Sequence, residues 1–191
     1  MTWDSETTAA AVRHGQLDCL RFIIDHWDQT YMTWNPETTW VAAKQGHLDC
    51  LRFIVEHWDG SFMTWDSGTT SATGFCGHLD CLRFIINHWD GSLMTWHPET
   101  VWIAARHGQL DCLRFIIVNW DNTYMTWDAD TTWGAAGYKQ FDCSRFLIDH
   151  WDHTYMTWHN ETTRAAAYNG HLDCLRFIIE HCLLDSLCRL G

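Results

Sequence analysis

The chain has few positive charges and no long apolar run. Its 191 residues include 12 Lys and Arg against 24 Asp and Glu, which gives a formal net charge of −12. Proteins that bind nucleic acids or anionic membranes in general carry an excess of Lys and Arg. No segment approaches the ~20 consecutive apolar residues of a membrane-spanning helix, and the N-terminus lacks the pattern of a signal peptide. We therefore expect no nucleic-acid partner and no membrane partner.

Catalytic and metal-binding motifs are also missing. The sequence contains no carboxylate pair suited to acid–base chemistry, no Ser-His-Asp set and no glycine-rich phosphate loop. The 13 histidines and nine cysteines do not stand at the short local spacings that bind zinc. We predict that the protein is not an enzyme and that it has no catalytic residue, no metal and no other cofactor.

A period of 31 residues runs through the chain. The tripeptide Met-Thr-Trp begins at positions 1, 32, 63, 94, 125 and 156. A fixed period of this size is typical of stacked units, each of which buries its apolar face only against its neighbours. The sequence predicts one repeat domain over residues 1–186 and a tail at 187–191. The six repeats are 1–31, 32–62, 63–93, 94–124, 125–155 and 156–186.

Each repeat has the pattern of two helices. In the second repeat, Asn35 and Pro36 suit the N-cap and the first position of a helix, and Gly46 suits its C-terminal turn. Lys139 stands where the other repeats have this glycine, so we expect a strained turn there. The second helix, predicted over residues 17–26 of the first repeat, is apolar around more than half of its circumference. Such a helix needs neighbours on two sides, which predicts an all-α solenoid joined by short, Trp-rich loops.

A cysteine recurs within the apolar arc of every second helix. Equivalent atoms of stacked helices lie ~8–10 Å apart, whereas a disulfide needs Cα atoms within ~7 Å. Buried cysteine behaves as a small apolar residue. We predict that this column packs in the core, and that the protein works in a reducing compartment. The column consists of Cys19, Cys50, Cys81, Cys112, Cys143 and Cys174.

The segment AAKQGHLDCLRFI, residues 42–54, resembles the A-A-x-x-G-H-L-E-x-V-K-x-L stretch of the ankyrin repeat family. The sequence is most similar to the divergent branch found in protists, amoebae and large viruses, in which a PWDxxT segment precedes the alanines. Here TWDSET at 2–7 stands in that place. ETTW at 37–40 replaces the usual T-P-L-H start, and the repeat is shorter than the usual ~33 residues. The resemblance implies an ankyrin-like solenoid that acts as a binding scaffold, and it is consistent with a host-directed effector or adaptor.

The repeats differ most along one face of the first helix. Positions nine and thirteen of each repeat lie four residues apart, so their side chains are neighbours. Of the 12 Lys and Arg, six form a repeated column and four of the others stand on this face among aromatic residues. Trp, Tyr and Arg are enriched at the hot spots of protein interfaces. We predict that this face binds a protein through Arg13, Trp40, Lys44, Phe75, Trp102, Arg106, Trp133, Tyr138, Arg164 and Tyr168.

Charge favours a partner segment that is acidic and carries apolar anchors. A simpler interpretation is that each tryptophan only lies over the cation one turn further along, in a cation–π pair of ~0.5–1 kcal/mol. The tryptophans at the junctions between repeats, such as Trp27 and Trp34, indicate either a structural ladder or, as an alternative function, a surface that binds a glycan or another small ligand. A reducing compartment means the cytoplasm or nucleus, with secretion into a host cell left open.

Overall fold

The computed structural model describes residues 5–26, 37–57, 67–88, 99–119, 129–150 and 160–188. Each of these ranges contains two α-helices joined by a short turn, which we call helix pairs one to six. This architecture confirms the predicted all-α fold. The helices are α1 (Ser5–Arg13), α2 (Leu17–His26), α3 (Glu37–Gln45), α4 (Leu48–His57), α5 (Ser67–Cys76), α6 (Leu79–His88), α7 (Glu99–Arg106), α8 (Leu110–Asn119), α9 (Ala129–Gly137), α10 (Phe141–His150), α11 (Asn160–Tyr168) and α12 (Leu172–Cys188).

The chain divides into two compact units, Met1–His97 and Pro98–Gly191. In the first unit, α3 contacts both α1 and α5, and α4 contacts both α2 and α6. In the second unit, α9 contacts both α7 and α11, and α10 contacts both α8 and α12. Within each unit, therefore, first helices stack on first helices and second helices on second helices. The single domain over residues 1–186 stays a prediction.

A residue in the left-handed conformation ends each first helix. Gly15 has a φ of 65° and Gly46 a φ of 75°. A Cβ added to Gly15 would lie 2.6 Å from Nδ1 of His47, so the side chain of the next helix pair fills the space that glycine leaves. Lys139 adopts the same conformation with a φ of 64°. A positive φ is unfavourable for a residue with a Cβ, which confirms the strained turn expected there.

The core combines small side chains of the first helices with larger apolar ones of the second helices. Ala42 and Ala43 of α3 and Leu51 and Ile54 of α4 are completely buried. The packing role predicted for the cysteine column is confirmed at the five positions where the thiol is 1% exposed: Cys50, Cys81, Cys112, Cys143 and Cys174.

Cys19 departs from that prediction, because it is exposed. Cys50, by contrast, belongs to a buried cluster that includes Leu20 and Ile23 of the preceding helix pair. No described helix pair precedes α1–α2, so the apolar position of Cys19 on its own helix does not bury it. Burial of a residue in a repeat protein depends on the neighbouring repeat as much as on its own sequence.

Four of the second helices, α2, α4, α6 and α10, end at a histidine, and His181 takes the same place in the repeat within the longer α12. In α2, Nδ1 of His26 donates a hydrogen bond to the carbonyl of Phe22 at 2.9 Å, and the two rings stack with centroids 4.0 Å apart. The phenylalanine at this position also contacts an arginine of the helix pair before it. Arg21 of α2, for example, lies over Phe53 of α4, with 5.9 Å between its Cζ and the ring centroid. The second helices are thus joined by cation–π contacts.

Candidate protein-binding face

The residues predicted to bind a partner are divided between the two units. All ten are exposed or half-buried. Tyr168 is 89% exposed, and Phe75, Trp133 and Tyr138 are each exposed over a third to a half of their surface. We call the residues of the first unit, Arg13, Trp40, Lys44 and Phe75, face one. Those of the second unit form face two: Trp102, Arg106, Trp133, Tyr138, Arg164 and Tyr168.

Face one contains a cation–π pair. Nζ of Lys44 lies 4.5 Å from the centroid of the Trp40 ring. The indole itself is half-buried and packs against the apolar core of the first unit. The charge of Lys44 also acts on the next helix pair, where it opposes the rise that burial causes in the pKa of the Cys76 thiol. Lys44 is therefore held in place above an aromatic ring.

Face two holds its central cation more firmly. Cζ of Arg106 lies 4.9 Å from the Trp102 ring centroid and 4.2 Å from that of Tyr138. The guanidinium also donates a hydrogen bond to the hydroxyl of Tyr138. Its Nε is buried and has no hydrogen-bond partner among the described residues. Arg106 thus bridges α7 and the turn after α9, with one aromatic ring from each helix pair.

The electrostatic effect of this cation extends to the next residue. Burial and the nearby charge of Arg106 lower the pKa of His107, with burial the larger cause. His107 therefore loses its proton at a lower pH than an ordinary histidine. At neutral pH the positive charge in this region comes from Arg106.

Gly134 is a component of face two that the sequence analysis missed. A Cβ at Gly134 would lie 3.1 Å from Nε1 and 3.4 Å from Cδ1 of Trp102. The glycine therefore lets the indole lie close to the backbone of α9. The available signal was a glycine inside a helical pattern where the other repeats carry a larger residue.

Arg164 does not share the arrangement of Arg106. Its Nη2 lies 3.3 Å from Oε1 of Glu161, one turn earlier on α11, and both side chains are largely exposed. Exposed ion pairs of this kind contribute little to stability. The structure therefore places one cation of face two between aromatic rings and leaves another at the surface beside a carboxylate.

Several predicted features lie outside the described residues. They include the helix-starting residues Asn35 and Pro36 and the junction tryptophans represented by Trp27 and Trp34. The alternative of glycan binding rests on those tryptophans and stays a prediction. In the ranges that the structure describes, no group of three or more His, Cys, Asp or Glu side chains could hold a metal ion. No helix in those ranges is both long and apolar enough to cross a membrane.

Comparison with known proteins identifies the fold. No family model matches the sequence, and no curated protein matches it. Solved structures do match, and among them is the crystal structure of the human ASB11 ankyrin repeat domain. It superposes with a TM-score of 0.70 and 16% sequence identity, over 91% of this chain and 82% of the ASB11 chain. The chain therefore has the fold of an ankyrin repeat domain, as the resemblance at 42–54 implied.

Proposed function

We propose that this protein is a non-enzymatic scaffold that binds a partner protein through faces one and two. The observation that carries the proposal is the fixed position of Arg106 between the rings of Trp102 and Tyr138. A cation and aromatic rings that are already ordered lose little conformational entropy when a partner binds. Arginine stacked on aromatic rings is also a frequent hot spot of protein interfaces.

The favoured partner is an acidic segment with apolar anchors. Carboxylates would pair with Lys44 and Arg106, whose charges stand on an otherwise acidic protein with a formal net charge of −12. Like charges elsewhere on the surface would repel the same segment, so electrostatics would set where it binds. The exposed rings of Trp133 and Tyr168 would contact its apolar residues.

The simpler interpretation, that the tryptophans only stabilise their own helices, accounts for part of the arrangement. Trp40 with Lys44 and Trp102 with Arg106 are cation–π pairs, as that interpretation expects. It does not account for Tyr168, which is 89% exposed although Arg164 lies one turn earlier, because Arg164 pairs with Glu161. A large aromatic side chain that is this exposed on face two favours a binding surface.

The finer assignments are part of the same proposal. We place the chain in the divergent branch of ankyrin repeats, with a role as an effector or adaptor in the cytoplasm or nucleus. The support for a reducing compartment is a set of seven free thiols: Cys19, Cys50, Cys76, Cys81, Cys112, Cys143 and Cys174. The TWDSET segment supports the branch, although it lies at the edge of the described residues.

The test is affinity capture from cell lysate followed by mass spectrometry, with the 191-residue chain as bait. The variant bait carries Lys44→Glu and Arg106→Glu. The matched control carries Arg83→Glu and Arg145→Glu, which change the net charge equally but lie on second helices. Circular dichroism must show equal helicity for all three baits.

We expect the wild type and the control to capture the same partner proteins. The variant should bind those proteins at least tenfold more weakly (~1.4 kcal/mol). Binding of an acidic synthetic peptide from such a protein, measured by calorimetry, would then confirm its chemistry. Equal capture by all three baits, or equal loss from variant and control, would overturn the assignment to faces one and two.

A further inference from the structure

The first helix pair has an uncovered apolar face. Phe22 is 55% exposed, whereas its equivalent Phe53 in the second pair is 9% exposed. Cys19 is exposed in the same way, whereas Cys50 is buried. A groove runs across this face, lined by residues of both helices, among them Ala10, His14, Cys19 and Phe22. We call this surface the leading face.

The last helix pair has an uncovered face of the complementary kind. Ile179 is 46% exposed, whereas its equivalent Ile148 in the fifth pair is 2% exposed. Leu172 is exposed as well. Gly170 has no atom within 4 Å of the position that a Cβ would take, whereas Gly15, Gly46 and Gly108 are each covered by a side chain of the next helix pair. We call this surface the trailing face.

The interior of each unit shows what covers such faces. The residue that follows the left-handed turn residue lies against the turn glycine of the preceding pair, as His47 does at Gly15 and Gln140 at Gly108. An arginine of the preceding pair lies over a phenylalanine of the next, as Arg114 does over Phe146 with 5.5 Å from Cζ to the centroid. Each internal junction is thus a trailing face packed on a leading face.

Gln16 already has the conformation that such a junction uses. Its Nε2 donates a hydrogen bond to the carbonyl of His14 at 3.1 Å. Gln140 makes the equivalent bond to the carbonyl of Tyr138, also at 3.1 Å, while its Oε1 lies against Gly108. Gln16 is therefore arranged to cover a glycine of a preceding pair, and Gly170 is a glycine that no side chain of the described ranges covers.

We propose that the trailing face of one copy of this chain packs on the leading face of a second copy. Gln16 of one copy then covers Gly170 of the other, and Arg176 lies over Phe22. The occupant is a second copy because this chain carries both halves of an interface that it already forms internally. The contact joins two different surfaces, so it is heterologous and does not close on itself like a symmetric dimer. The proposal does not depend on faces one and two.

The test uses one variant to block each face. Phe22→Glu places a charge on the leading face and leaves the trailing face intact; Ile179→Glu does the reverse. Val118→Glu is the matched control, because Val118 is exposed on a second helix at a position where the second repeat carries Glu56. Sedimentation velocity is measured over a hundredfold concentration range with a reductant present, since Cys19 lies on the leading face.

We expect the sedimentation coefficient of the wild type and of Val118→Glu to rise with concentration. Phe22→Glu and Ile179→Glu should each stay monomeric when alone. Their mixture should form a 1:1 complex, because each supplies the face that the other lacks, with affinity at least tenfold above that of either variant for itself.

Three results would overturn the proposal. The first is a wild type that stays monomeric throughout the range. The second is a loss of association in Phe22→Glu but not in Ile179→Glu, which would indicate a symmetric dimer of leading faces. The third is the lack of a complex in the mixture although circular dichroism shows both variants folded.

Discussion

The indole of Trp102 lies against the backbone of α9 at Gly134, where a methyl group would come within 3.1 Å of Nε1. Arg106 in turn lies over this indole, 4.9 Å from its centroid. Gly134 of α9 therefore leaves the space that Trp102 occupies, and Trp102 in turn supports Arg106.

Replacing Gly134 by alanine should disturb this cluster. A glycine-to-alanine change inside a helix stabilises by up to ~1 kcal/mol, but here the methyl group must displace Trp102. We expect Gly134→Ala to raise the free energy of unfolding by no more than half of that ~1 kcal/mol. We also expect the NMR signal of the Trp102 indole N–H to shift. Gly137→Ala is the control, since its nearest contact would be an ordinary 3.6 Å to Cβ of Ala165. An unshifted indole signal in Gly134→Ala would contradict the arrangement.

Lys139→Gly should stabilise the second unit. Lys139 has a φ of 64°, a conformation that glycine adopts without strain. We expect the free energy of unfolding to rise by about 1 kcal/mol, measured by urea denaturation. Lys139→Ala removes the same charge but keeps a Cβ, so it should give no such gain. Equal stabilisation by both variants would show that charge, and not backbone strain, is responsible.

The cysteines should differ in reactivity along the column. Burial, assisted by neighbouring carboxylates, raises the pKa of Cys81 to about 11 and that of Cys143 to about 12. At pH 8 a thiol-specific alkylating agent should label Cys19 in the folded protein, and the two buried thiols only in urea. Mass spectrometry of tryptic peptides checks this. Rapid labelling of Cys81 in the native state would contradict its burial.

The same shifts predict a loss of stability in alkaline solution. A thiol whose pKa is higher in the folded than in the unfolded protein stabilises the fold fully below its unfolded pKa of ~8.5. That contribution is lost as the pH rises towards the folded value, about 11 for Cys81. The difference in urea midpoint between wild type and Cys81→Ala should therefore narrow from pH 8 to pH 10.5. A difference in urea midpoint that stays constant over this pH range would show that ionisation of Cys81 does not affect stability.

Removing the charge of Arg106 should raise the pKa of His107. Burial is the larger cause of the lowered value and Arg106 the smaller, so Arg106→Gln should restore the pKa only in part. The titration is followed by the NMR shifts of the imidazole. Arg164→Gln serves as the control, because Arg164 pairs with Glu161 on its own helix. Equal changes in both variants would point to a general effect of net charge.

Sequence and structure agree most closely where a property belongs to one repeat. The pattern of apolar residues predicted the second helix over 17–26, and α2 is Leu17–His26. The strain at Lys139 follows from a single position in the repeat. Both properties depend on local sequence, and six copies of the 31-residue repeat make the local pattern recognisable.

Properties that depend on two helix pairs were harder to predict. Cys19 has the same neighbours in sequence as Cys50, yet only Cys50 is buried. The difference arises because Cys50 packs in a cluster with residues of the preceding helix pair, and no described helix pair precedes α1–α2. The contact between Arg106 and Tyr138 joins residues 32 positions apart. Their spacing alone does not show that the ring of one repeat reaches the cation of the previous one.

The packing of one repeat against the turn glycine of its predecessor has a consequence for how such a chain can change length. His47 fits the space at Gly15, and the same repeat brings Gly46, into which His78 fits. Each 31-residue segment thus carries the matching halves of both its junctions. A recombination event that gains or loses one whole segment restores the junction and changes only the order of residues on faces one and two. Events out of step with 31 residues destroy it, which favours the exact spacing of the Met-Thr-Trp triplets seen here.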